Sequence, residues 1–324
     1  MKYRKTIFAM LVAMPLTLTA SIAHAQSWPT KSVRIIVPFA AGGASDTQGR
    51  MLARSFSEAF KRQFVVENRT GAAGSIGAEF VVRAPADGYT LLFTTAALSV
   101  NAALYGAKQK FDATKDLAPV MWASSVPLVL NTHPSVPVRS VKELVNLSKR
   151  HKSGLNAGHH GSGATNQIAL EMLVQQAGIN IVQVPYKGGT PSTIALLSGE
   201  VDFVFSTMTT VVPYLKSGRL RGLAVSTKKR SSIFPDMPTM DSIYPGFESD
   251  NWFGMFAPAG TPKEIITRLH ASAVEAIKST EFRNLIAQAG GDVAGGTPEE
   301  LGLHLQNEIA RYSKVIKAGN IQIQ

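Results

Sequence analysis

The sequence predicts an α/β protein of two lobes, each a doubly wound, mostly parallel sheet flanked by helices. Three observations predict this. β-Branched runs alternate with helix-period segments from residue 33 to residue 95, and the alternation restarts near residue 125. Glycine-rich junctions join several strands to the helices after them. The tail after residue 250 brings helices without a sheet of its own, so the chain is expected to return to the first lobe. The expected division is a signal peptide over 1–25, lobe one from 26–124 and 250–324, and lobe two from 125–249.

The elements follow in order. Val33 to Pro38 reads as a buried strand, because a continuous apolar run suits a strand covered on both faces. A helix is predicted from Ser45, with Met51, Leu52, Phe56, Ala59 and Phe60 on one face. Phe64 to Val66 is a strand, Gly74 to Arg83 a helix, Asp87-Gly88 a turn and Thr90 to Thr95 a strand. The second unit opens with a strand at Pro127 to Asn131. Ser140-Val141-Lys142-Glu143 is a capping box for a helix ending at Arg150. Strand Leu155 to Gly158, helix Thr165 to Gln176 and strand Ile181 to Pro185 follow, with Gly178 ending the helix. A short helix at Ser192 to Leu197 and strands at Val201 to Phe205 and Leu223 to Ser226 complete the unit. Residues 231–250 carry three prolines and read as a crossing segment. Trp252 to Ala257 is a strand. Thr261-Pro262-Lys263-Glu264 and Thr297-Pro298-Glu299-Glu300 each signal a capped helix, running to Lys278 and Lys317.

At the N-terminus, Lys2, Arg4 and Lys5 precede an uncharged apolar run from Thr6 to Ala23, and Ala23-His24-Ala25 is a small-x-small cleavage site. The mature chain is therefore expected to start at Gln26 and to be secreted. Beyond this run no stretch reaches the roughly 18–20 apolar residues of a membrane span. Removing the three basic residues leaves a chain still basic, against a formal charge of +11 for all 324 residues. The basic residues are scattered and no nucleic-acid motif accompanies them, so nucleic acid is not an expected partner. With no cysteine, disulfides, thiol catalysis and Cys-ligated metals are excluded.

Two strand-to-helix junctions carry the candidate chemistry. One comprises Phe39, Ala40, Ala41, Gly42, Gly43, Ala44 and Ser45; the other comprises Gly158, His159, Gly161, Ser162, Gly163, Ala164 and Thr165. The first amides of a helix lack internal partners and carry partial positive charge, and glycines let an anion approach them. Two such loops, one per lobe, suit a ligand with two acceptor ends. The plainer reading makes them tight turns capped by Ser45 or Asp46 and by Thr165. Asn68 to Gly77 lacks the nucleotide-binding pattern and reads as close helix–sheet packing. In Tyr186-Lys187-Gly188-Gly189-Thr190, Lys187 reads as an exposed turn lysine. Gly161-Ser162-Gly163 lacks the outer glycines of a nucleophile elbow, which weakens a serine-hydrolase reading of Ser162 with His159 or His160. His159-His160 point oppositely on a strand, and the other histidines show no ligand spacing. No metal, cofactor or catalytic residue is expected.

Trp28 to Gly43 closely resembles the mature start of the Bug proteins, the TctC-like substrate-binding receptors of tripartite tricarboxylate transporters. Val66-Glu67-Asn68-Arg69, Gly74-Ser75-Ile76-Gly77, Asp87 to Leu92, Val184 to Gly188, Trp252-Phe253-Gly254 and Phe256 to Pro262 match in the same order. The resemblance implies a periplasmic receptor of the type II binding-protein fold, acting as a monomer. It implies a small carboxylate ligand gripped by backbone amides as the lobes close, with transporter subunits or a sensor kinase as partner. A transport-independent adaptor is the other binding role. The matching site positions are the two loops above, with Thr94 and Thr95 at the end of a lobe-one strand and Ser206 and Thr207 at the end of a lobe-two strand. Three departures stand out. The second loop lacks two hydroxyls that the family commonly carries and has His159 instead. Gln167 and Ile168 stand where His-Leu is common. Ser206 replaces a frequent Asp, which argues against an amino-acid ligand. Two readings of His159 stand side by side: it meets the ligand and makes binding tighten as pH falls, or it packs against the strand while His160 faces solvent and neither senses ligand.

Overall fold

The computed structural model describes residues 28–151, 153–318 and 321. The proposed signal peptide lies outside them. The element order is β1 (Val33–Val37), α1 (Ala44–Phe60), β2 (Phe64–Asn68), α2 (Ser75–Val82), β3 (Thr90–Thr95) and α3 (Ala97–Tyr105). β4 (Leu117–Thr132), α4 (Val141–Arg150), β5 (Leu155–His159), α5 (Thr165–Ala177) and β6 (Ile181–Pro185) follow. Then come α6 (Gly189–Ser198), β7 (Phe203–Thr207), α7 (Met208–Lys216), β8 (Arg221–Val225) and β9 (Asp250–Pro258). The chain closes with α8 (Lys263–Lys278), α9 (Thr280–Gln288), β10 (Asp292–Gly296) and α10 (Pro298–Ala318).

The strands form one sheet in the order β2-β1-β3-β9-β4-β7-β5-β6, with β8 and β10 also pairing β4. β1 lies parallel to β2 and β3, and β5 lies parallel to β6 and β7. These parallel groups are the centres of the two lobes. β4 and β9 run antiparallel between them. The 16-residue β4 pairs with β9 from Leu117 to Pro127, then with β7 from Leu128 to Thr132. One strand thus pairs with both groups and connects them. Its two prolines, Pro119 and Pro127, hide it in the sequence, where only its last third reads as a strand.

Local chemistry explains the elements. In β1 only Arg34 is exposed, because helices cover both faces of the parallel strands. At α4 Ser140 Oγ accepts from Glu143 N at 3.2 Å, as the capping box requires. Thr297 and Glu300 make the reciprocal pair before α10. The third box does not form. Thr261 Oγ1 donates to Pro258 O at 2.7 Å, so α8 starts without a side-chain cap. Three helices and one strand escaped the sequence reading. α3 is apolar on most sides and begins at Ala96, without a cap signal. α7 contains Pro213, α9 abuts α8 through Ser279, and β10 is short and glycine-rich.

The core is apolar and continuous across the lobes. Phe93 stacks on Phe253 of β9, with ring centroids 6.4 Å apart. Phe205 stacks on Phe247, and Tyr312 of α10 is buried in that cluster. No helix among the described residues is long and apolar enough to cross a membrane.

Candidate functional site: a cavity ringed by helix N-termini

A cavity of about 30 Å³ lies between the lobes at the C-terminal ends of β1, β3, β5 and β7. The chain turns there into α1, α3, α5 and α7, and α6 also starts there with Gly189. Five helix N-termini therefore point at one small space. None of the five has a side-chain cap, although Ala97 N is taken by Thr95 Oγ1 at 3.2 Å. Asp and Glu, Lys and Arg are all absent from the lining. The local field is thus set by helix dipoles and backbone amides, and it favours an anion.

The first loop is held from behind. Asp46 accepts from Gly42 N, Arg50 Nε and Asn68 Nδ2, each at 2.9 Å. Asn68 Nδ2 also donates to Phe39 O at 2.9 Å. Burial alone would raise the Asp46 carboxyl, but the hydrogen bonds from Arg50, Gly42 and Asn68 outweigh it and hold it below the usual range. Asp46 is therefore a clamp on the loop and not a helix cap. The second loop is held by Gln167, whose Oε1 accepts from Gly163 N at 2.6 Å, and by Asn166, whose Oδ1 accepts from His160 N at 3.3 Å. Gln167, a departure from the family pattern, is thus engaged in shaping the loop.

Of the residues singled out in the sequence, Phe39, Gly43, Ala44, Ser45, Thr95, Ala164, Thr165 and Thr207 line the cavity. Ala40, Ala41 and Gly42 do not. The Gly42 amide is spent on Asp46, and its φ of +75° gives that glycine a conformational role. Ala41 O accepts instead from Thr190 Oγ1 at 3.0 Å, a bond between the lobes. Strand alternation settles three pairs: Thr95, His160 and Thr207 line the cavity, while Thr94, His159 and Ser206 do not. His159 is 2% exposed, and burial pulls its imidazole below the ordinary histidine value, against a backbone hydrogen bond at Gly161. His159 does not line this cavity, whereas His160 does. Gly158 packs against Val204 and Val201. Gly161 and Ser162 line a neighbouring space. Gly163 faces Asn101 of α3.

Sequence reasoning missed His160, Asn166, Gly189, Thr210, Asn251 and Phe253. Asn251 and Phe253 arrive on β9, and nothing local marks them. Asn251 Nδ2 donates to Thr207 Oγ1 at 3.2 Å, tying the crossing strand to β7. Four buried polar atoms of lining residues have no hydrogen-bond partner: Thr165 Oγ1, His160 Nε2, Thr210 Oγ1 and Asn251 Oδ1. Buried polar groups are normally satisfied, so this convergence makes the cavity the candidate site. Burial, with His159 beside it, drives His160 down to about 3, so its ring is neutral near neutral pH. His159 Nδ1 and His160 Nε2 are unpartnered, so neither nitrogen engages Ser162 as a base. Among the described residues no cluster could hold a metal ion.

This arrangement, two α/β lobes closed over a cavity of helix N-termini, defines a periplasmic binding protein. The model of the tripartite tricarboxylate transporter family receptor matches residues 49–321, and the chain belongs to that family. BugT of Bordetella pertussis is 33% identical over 305 residues, covering 92% of this chain and 93% of that protein. The solved structure of periplasmic binding protein BugD superposes with a TM-score of 0.88 at 32% identity, covering 92% of this chain and all of that one. R. palustris Rpa4515 with adipate gives 0.86 at 34% identity, covering 91% and 99%.

Proposed function

We propose that the protein captures a small organic carboxylate between its lobes and presents the closed form to a membrane transporter or sensor. Lobe one would be residues 26–124 with 250–324, and lobe two 125–249, the chain being exported by a cleaved peptide over 1–25 and acting as a monomer. The observation that carries the reading is the ring of uncapped helix N-termini around a cavity whose lining holds neither Asp and Glu nor Lys and Arg. The adipate held by Rpa4515 supports it.

The carboxylate sits on the amides after Gly43, Ala164, Gly189 and Thr207, with Ser45, Thr95, Thr165, Thr210 and Asn251 supplying hydroxyl and amide contacts. Charge-assisted bonds to such groups are worth about 1.5–3 kcal/mol each. Helix dipoles need no reorganisation, so the anion gains them as the lobes close. Closure is what a partner reads, because the ligand binds the two-lobed form more tightly than either loop alone. No bond is broken, and the ligand leaves unchanged. A thermal-shift screen against C3–C8 mono- and dicarboxylates and benzoates tests this, with mass analysis of recovered ligand. A raised melting temperature with intact acid supports it; silence across the panel, or a product above a Ser162→Ala control, overturns it.

A further inference from the structure

The two lobes also touch each other directly, beside the cavity and apart from it. The turn Tyr186-Lys187-Gly188-Gly189-Thr190 leads into α6, and Gly189 lines the cavity while Thr190 does not. Thr190 Oγ1 donates to Ala41 O at 3.0 Å, which joins this turn to the first loop of lobe one. Ala41 is also absent from the lining and lies just before Gly43. The bond therefore links the N-termini of α1 and α6 from behind, with neither of its residues lining the cavity.

The backbones on either side of this bond fit closely. A Cβ built on Gly188 falls 3.2 Å from Ala40 N and 3.6 Å from both Ala40 Cβ and Phe39 Cβ, so a side chain there would press the loops apart. From the opposite side, Cβ atoms built on Gly42 and Gly43 fall 3.6 Å and 3.7 Å from Thr190 Oγ1. The glycines of one loop thus admit the hydroxyl of the other. A hydrogen bond made only when the lobes meet favours the closed form by its own free energy, whatever acid the cleft contains.

We propose that Thr190 is a latch between the lobes: its bond to Ala41 O holds the closed form together and slows the release of every bound carboxylate by the same factor. The proposal rests on the carboxylate reading above and adds a residue that governs release without touching the ligand.

Stopped-flow association and displacement of succinate, adipate and benzoate on wild type, Thr190→Val and Thr190→Ser test it. Valine keeps the branched shape and loses the hydroxyl, whereas serine keeps the hydroxyl. Thr190→Val should release each acid that binds about two- to tenfold faster, the range for one neutral hydrogen bond. The factor should be common to the acids, and association should be unchanged, because the bond forms only as closure completes. Thr190→Ser should release them at near the wild-type rate. Thr190 is only partly buried, so both variants are expected to fold, and unchanged melting temperatures of the free proteins confirm it. Wild-type release from Thr190→Val, a factor that differs from acid to acid, or a serine variant as fast as the valine one overturns the latch and leaves the carboxylate reading standing. Failure of these three acids and of the whole carboxylate panel to bind overturns the carboxylate reading, and the latch with it.

Discussion

Gly163→Ala should separate closing of the lobes from folding. Gly163 has φ +88°, and a Cβ built there falls 2.1 Å from Asn101 Oδ1 and 3.1 Å from its Cγ. Asn101 is 1% exposed, and its Nδ2 donates to Ala73 O at 3.1 Å. The amide cannot swing aside without giving up that bond, at a cost of about 1–3 kcal/mol. The left-handed backbone costs an alanine about 1–3 kcal/mol as well. The two terms act on different states. Backbone strain is present whether the lobes are open or closed, so it lowers the melting temperature of the free protein. The clash arises only when α3 meets the second loop, so it weakens binding by roughly 5- to 150-fold. Calorimetry and thermal melts on Gly163→Ala, Asn101→Ala and the double variant read both terms. The double variant should recover most of the affinity of Asn101→Ala while keeping the lowered melting temperature. Wild-type affinity in Gly163→Ala, or no recovery in the double variant, would refute closure through this contact.

Thr165→Val should weaken carboxylate binding about tenfold or more, yet leave the free protein as stable or slightly more stable, because it removes a buried hydroxyl with no partner; melts and calorimetry on one sample decide. Gly42→Ala should cost about 1–2 kcal/mol of stability for its positive φ, whereas Gly43→Val, at φ −78°, should melt near wild type and lose binding; the reverse pattern would exchange their roles. Stability should fall as pH drops below about 6.5, because the unfolded chain takes up protons that the half-buried His160, held down to about 3 by desolvation of its ring, refuses until far lower pH. Melts from pH 7.5 to 4.5 should show about 2–4 °C per pH unit less slope in His160→Asn at the low end. Asp250, pushed up to about 6 by burial and by Glu308, against Arg311, acts in the opposite sense, so the comparison is between the two proteins; identical slopes would place the His160 ring in solvent.

The two loops were legible because glycine after a strand and before a helix leaves few alternatives. The direction of each side chain was not. In Thr94-Thr95, His159-His160 and Ser206-Thr207 one residue of each pair lines the cavity, and a strand's period of two needs an anchored register to say which. That register comes from pairing between segments far apart, such as Val129 with Ser206. The same distance hid Asn251 and Phe253, which β9 carries in from the far end of the chain. Capping boxes were readable at Ser140 and Thr297, where nothing competed for the hydroxyl; at Thr261 the carbonyl of Pro258 did. β4 resisted reading because prolines tolerated at its bends and irregular pairings break the pattern that marks a strand.

The central claim is that amide dipoles, and no charged side chain, hold a carboxylate in the cavity ringed by helix N-termini. Calorimetric titration of the best acid from the panel, against the primary amide of the same skeleton, tests it most directly. The acid should bind one to one and the amide about 100-fold more weakly, since each charge-assisted bond is replaced by a neutral one. Equal affinity for acid and amide would contradict the claim.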